Sequence, residues 1–230
     1  MNDKVKIIKI GDFNCDYIVP VSPKKVVYMI YPGEVQLPEN WLASMSEKYN
    51  VAVLVVYIPA NGWNDLLTPW PEPPEEKGFE PFAGKAPEFL KTLLNDIMPQ
   101  LEKAAGIGIG MERDLIGVSL SGLFTFWQWL QCNSFKSIGC LSGSFWYMGF
   151  MNWFEKQTLP AKPGKAFFLL GKKEPKAPIK AYQSVGINTT AIVERLKSTG
   201  IDTEFEWVPG DHFVNPLPRA ELAFDFLCKG

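Results

Sequence analysis

The sequence predicts an α/β fold: a mostly parallel central sheet with helices on both faces and an antiparallel N-terminal edge. Three observations predict it. The runs Lys25–Tyr31 (KVVYMIY), Val51–Tyr57 (VAVLVVY) and Ala166–Leu170 (AFFLL) are apolar throughout most of their length, as strands buried on both faces are. Segments with apolar residues at helical spacing separate the strands, and that alternation implies parallel βαβ units. The first two short strands follow one another with no helix between them, which makes that edge antiparallel.

The elements follow in chain order. Val5–Ile10 and Asp16–Val19 read as strands around the turn residues Gly11, Asp12 and Asn14. Pro32-Gly33 ends the strand 25–31, and Pro38–Tyr49 carries Trp41, Leu42 and Met45 at helical spacing. After the strand 51–57, residues 58–85 hold six prolines and no periodicity. Ala86–Ala105 is an amphipathic helix, with Phe89, Leu93, Ile97 and Leu101 on one face, bent or restarted near Pro99. Asp114–Val118 reads as strand, Ser121–Gln131 as helix, Ser137–Leu141 as strand and Tyr147–Lys156 as short helix. Beyond 166–170 come a helix over Ala181–Ser198, a strand over Thr203–Val208 and a closing helix over Pro216–Cys228. No repeat or linker-like stretch divides residues 1–230, so one domain is expected.

Composition excludes several classes of function. A net charge of −2 and only 3 arginines (Arg113, Arg195, Arg219) leave no basic footprint for nucleic acid. Four cysteines without a C-x-x-C pair, beside a single histidine, give no zinc constellation, so no metal is expected. No 18-residue apolar run and no apolar leader stand in the chain, and the expectation is a soluble cytoplasmic protein with reduced thiols that leaves membranes alone.

The chemistry concentrates at three strand ends. Gly117-Val118-Ser119-Leu120-Ser121 lies between strand 114–118 and the helix after it, where a nucleophile elbow G-x-S-x-G falls. The string with a serine at the last place arises by chance in roughly 8% of such chains, so its position carries the argument. Ser119 is the candidate nucleophile. His212, the lone histidine, follows the last strand, where the base of a Ser…Asp/Glu…His order falls. Glu174 is the first carboxylate after strand 166–170 and is the candidate acid. Asp211, beside His212 in sequence, is the lesser one. An oxyanion hole would take the N–H of Leu120 and one from Tyr31-Pro32-Gly33-Glu34. Pro32 has no N–H, so Gly33 is the natural donor and Glu34 the second. Gly106-Ile107-Gly108-Ile109-Gly110 follows a helix, not a strand, and reads as a connector.

GVSLSGLF at 117–124, SGSFWY at 142–147, LGKKEPK at 170–176 and GDHFVNP at 210–216, with Gly62-Trp63-Asn64 and Leu67-Thr68-Pro69-Trp70-Pro71, resemble the α/β-hydrolase family of esterase D and the enterochelin esterases. The resemblance runs from about residue 25 to 227. It implies the α/β-hydrolase fold and a cofactor-free serine carboxylic-ester hydrolase. The elbow of that family commonly has glycine or alanine where Ser121 stands, and the early loop commonly reads His-Gly-Gly in place of Tyr31-Pro32-Gly33. The large anionic substrate of the siderophore esterases does not carry over, because 3 arginines and a net charge of −2 offer it no site.

Residues 58–85 are too apolar for a solvated linker and start at the carboxyl edge of the sheet. Trp63 and Trp70, with Trp146 and Tyr147, are expected to wall an acyl pocket that favours uncharged over anionic acyl groups. The alternative is a structural flap whose tryptophans seal the core. The leading functional expectation is an esterase for a small or aromatic acyl ester. An acyltransferase with the same triad, or a non-catalytic binding protein on a hydrolase scaffold, are the alternatives.

Overall fold

A computed structural model describes residues 4–159 and 164–229. Strands β1 (Lys6–Ile10) and β2 (Phe13–Ile18) form an antiparallel hairpin about the two-residue turn Gly11-Asp12. Gly11 takes φ 57°, a conformation glycine adopts without penalty. Asn14, expected in that turn, instead pairs with Lys9 in the ladder.

Then come β3 (Val26–Pro32), α1 (Glu39–Tyr49) and β4 (Ala52–Ile58). The segment 58–85 is ordered rather than structureless. It holds a 3₁₀ turn (Ala60–Gly62), α2 (Trp63–Leu66) and a small antiparallel ribbon of β5 (Pro71–Glu72) and β6 (Phe82–Ala83). The long amphipathic helix comprises α3 (Ala86–Thr92), a π turn (Leu93–Ile97) and α4 (Met98–Ala105). The widened turn lies just before Pro99, which cannot donate the i→i−4 bond.

Strand β7 (Arg113–Val118), helix α5 (Leu120–Gln131) and strand β8 (Ser137–Leu141) follow. Helix α6 (Phe150–Glu155) starts three residues later than the periodicity indicates, because Gly149 at φ 76° stands at its entrance. After β9 (Lys165–Gly171) the chain makes 3₁₀ turns at Glu174–Lys176 and Lys180–Ser184. The second occupies the expected first turn of α7 (Val185–Ser198). Strand β10 (Asp202–Val208) and helix α8 (Pro216–Cys228) complete the described chain.

Eight strands form one sheet in the order β1-β2-β4-β3-β7-β8-β9-β10. Only β2 runs against the rest, since it is antiparallel to both β1 and β4 while every other pairing is parallel. Successive side chains of β3 divide between two cores. Val26, Tyr28 and Ile30 pack with α3 to α7, and Val27, Met29 and Tyr31 pack with α1 and α8. From β3 the chain steps outward to β4 and later returns to the other side of β3 as β7. The carboxyl ends of β3 and β7 therefore flank a topological switch point, where open α/β sheets bind ligands.

Candidate active site

Ser119 occupies the sharp turn from β7 into α5, with φ 59° and ψ −124°. A non-glycine residue there is strained, and the surrounding packing has to hold it. Gly117 is obligatory, because a Cβ on it would stand 2.2 Å from the Ser121 carbonyl oxygen and 2.4 Å from Thr125 Oγ1. Ser121 takes the place where a small residue is expected and gives it a use. It is fully buried; its Oγ accepts the Val118 N–H at 2.7 Å and lies 2.8 Å from the Ile30 carbonyl. The hydroxyl thus bridges β7 to β3 directly beneath the elbow.

The imidazole of His212 lies between serine and carboxylate. Its Nε2 is 3.0 Å from Ser119 Oγ and its Nδ1 is 3.0 Å from Glu174 Oε2. With the Nδ1 proton donated to the carboxylate, Nε2 is left to accept from the serine hydroxyl. Glu174 is buried, in the 3₁₀ turn after β9. Burial alone would raise its pKa. Hydrogen bonds from His212, from the Ser142 hydroxyl at 2.7 Å and from the Gly171 N–H at 2.6 Å outweigh that, and hold the carboxyl below its usual range. Asp211 does not compete for the imidazole: its Oδ1 accepts the Phe213 N–H at 3.1 Å.

The loop after β3 departs from expectation. Gly33 donates its N–H to the Ile58 carbonyl at 2.7 Å, so it is committed to β4 and has none to offer an oxyanion. Its glycine identity serves that close approach, since a Cβ would meet the same carbonyl oxygen at 2.8 Å. Val35 N–H is bonded to Pro32 O, and Leu37 N–H to the Tyr57 hydroxyl. Among the described residues, Glu34 alone of the three residues 33–35 keeps an N–H without a protein partner. Leu120, at the start of α5, presents the other amide next to Ser119.

A cavity of about 810 Å³ opens over Ser119 and His212. Segment 58–85 walls one side through Ala60, Asn61, Trp63, Asn64 and Asp65, together with Glu80 and Pro81. Of the four aromatic residues expected there, only Trp63 lines the cavity. Trp70, Trp146 and Tyr147 are used elsewhere. The Trp70 indole donates to the Met148 carbonyl and stacks on Phe150, Trp146 packs on Tyr182 at 4.4 Å, and the Tyr147 hydroxyl donates to Trp70 O. Trp70 and Tyr147 fasten the flap to the α6 region and Trp146 packs on Phe82 of the flap, which is the sealing role held as the alternative. The opposite rim carries Val35 and Phe213, which is 87% exposed at the mouth. Glu34, Asp65 and Glu80 are on the lining, and no lysine or arginine is among the described lining residues. Asp65 is paired with Lys85 at 2.9 Å. The sequence reading missed Phe213 and Ser142, although both stand in blocks that carried the resemblance.

Comparison with known proteins agrees with this architecture. No protein-family model matches the chain. It is 25% identical over 173 residues to the uncharacterized protein YbbA of Bacillus subtilis (strain 168), covering 74% of this chain and 68% of YbbA. Its structure resembles an IroE-like serine hydrolase from Shewanella oneidensis, with a TM-score of 0.78 at 14% identity over 98% of this chain and 80% of that one. It also resembles the siderophore hydrolase EstA of Aspergillus nidulans, with a TM-score of 0.71 at 16% identity over 97% and 93% of the two chains. The enterobactin and salmochelin hydrolase IroE gives a TM-score of 0.69 at 18% identity over 100% and 97%. The chain therefore has the α/β-hydrolase fold, and its structural neighbours are of the kind to which the sequence blocks are similar. No helix among the described residues is long and apolar enough to cross a membrane.

Proposed function

We propose that this chain is a single-domain serine esterase that hydrolyses a small or aromatic acyl ester through Ser119, His212 and Glu174. The observation that carries the reading is the unbroken line Ser119 Oγ–His212 Nε2 and His212 Nδ1–Glu174 Oε2, both 3.0 Å, at a strained elbow beneath an open cavity. His212 takes the hydroxyl proton as Ser119 Oγ attacks the carbonyl carbon. The tetrahedral oxyanion receives the N–H groups of Leu120 and Glu34. Collapse expels the alcohol, which leaves with the proton from His212. Water then attacks the acyl-enzyme with His212 again as base, and the acid departs.

The cavity lining supports uncharged acyl groups over anionic ones, because Glu34 and Glu80 would face any added carboxylate with no lysine or arginine among the described lining residues. The absence of a disulfide among the four cysteines supports a reducing compartment such as the cytoplasm.

A fluorophosphonate probe followed by intact-mass measurement tests the proposal. One adduct, mapping to Ser119 and absent from Ser119→Ala, is expected. A folded wild-type protein that takes no adduct overturns it.

A further inference from the structure

Arg219 stands in the first turn of α8 and is 4% exposed. Two general rules oppose it there. A cation near a helix N-terminus works against the helix dipole, and a buried guanidinium loses its hydration. Burial indeed pulls its pKa down, while Glu174 and Asp211 oppose the fall. A residue that breaks local rules in a well-packed place is expected to serve the site.

Its contacts show what it joins. Nη1 is 3.1 Å from Ser142 Oγ and 3.4 Å from Glu174 Oε1, on the loops after β8 and β9. Nη2 donates to the Asp211 carbonyl at 2.6 Å and reaches Pro209 O at 3.5 Å, on the loop after β10 that carries His212. The space is reserved for it: a Cβ on Gly171 would lie 2.8 Å from Nη2 and 2.6 Å from the Gly210 carbonyl oxygen. Ser142, which completes the contact, has φ 48°.

We propose that Arg219 is a positioning residue for the catalytic array. Its guanidinium clasps three strand-end loops, fixing Glu174 against His212 and offsetting part of the carboxylate charge that the imidazole faces. The inference rests on the esterase reading for its kinetic consequence but not for its physical one. The other charged groups around the imidazole are Glu174, the neighbouring Asp211, and Glu34, Asp65 with Lys85, and Glu80 across the cavity. Lys172 and Lys173 are exposed on the turn before Glu174.

The chain has one histidine, so NMR reads its imidazole titration directly, whether or not the protein turns over a substrate. In Arg219→Gln the carboxylate acts on the imidazole undiluted, and the titration midpoint should move up by about one pH unit. With an ester substrate, kcat should fall roughly 10²-fold with little change in KM. Arg219→Lys, which keeps the charge but not the two-armed grip, should return the midpoint to the wild-type value while kcat stays low. An unshifted midpoint in folded Arg219→Gln overturns the inference. Should that variant not fold, Ser142→Ala decides: it removes a donor from the same carboxylate oxygen and should move the midpoint up by a smaller step, and a wild-type midpoint there refutes the clasp. Absent turnover in wild type with a shifted midpoint in the variant would reject the esterase reading alone.

Discussion

Ser119 and His212 act as one unit if the proposed chemistry is right, and that gives a quantitative expectation. Ser119→Ala and His212→Ala should each lower ester hydrolysis by about 10³–10⁶-fold, with the double variant little worse than the worse single one. Additive losses in kcat/KM would show that the two side chains do not share a step. Glu174→Gln should lower the rate by roughly 10²–10⁴-fold, because the imidazole loses its tautomer partner. The same variant has a pH signature. The Glu174 pKa is held below its unfolded value, so its contribution to stability is present above that value and is lost as pH falls through the folded one. Acid titration of unfolding free energy should therefore be shallower in Glu174→Gln than in wild type below about pH 4.5. Identical acid slopes would deny the carboxylate its stabilised state. The nearness of Ser119, Glu174 and His212 is legible in the sequence because each stands within four residues of the carboxyl end of a strand, and these ends share one edge of a parallel sheet. The donor after β3 is not legible. Which amide of Gly33-Glu34 is left over depends on the Ile58 carbonyl, a partner 25 positions away across the sheet.

The segment between β4 and α3 shows the same limit one level up. Its prolines and aromatics mark it as more than a linker, but no periodicity announces a 3₁₀ turn, one turn of helix and a two-residue ribbon. These elements are too short for a repeat, and tertiary contacts stabilise them. Aromatic identity also cannot say which ring faces the cavity. Trp63 and Trp70 differ only in what they meet. Trp63→Ala should change KM or acyl preference with little effect on melting, since the ring lines open space. Trp70→Ala should destabilise by about 3 kcal/mol, since the ring is wedged among Tyr147, Phe150 and Trp153. Calorimetry should record a fall in Tm of roughly 6–12 °C. The reverse pattern, with kinetics altered by Trp70→Ala and stability by Trp63→Ala, would mean the wall of the cavity has been misread.

For the molecule as a whole, the sheet and its two cores were legible almost strand for strand. Long apolar runs admit few placements, and helices between them force parallel neighbours. The strand order beyond the first edge was not, since it is set by which βαβ units pack side by side. That order puts β10 at the outer edge, paired with β9 alone and without one fully buried residue, and His212 hangs four residues beyond its end. Edge elements with few buried contacts open at lower free energy than the centre of a sheet. The nucleophile follows a central strand and the base an edge strand. Warming should therefore silence the protein before it melts it. Activity should fade several degrees below the loss of helix and sheet signal and return on cooling. Amides of β10 and residues 209–215 should exchange with deuterium well ahead of those in β3 and β7. Coincident loss of activity and fold would mean instead that the edge and the centre of this sheet give way together.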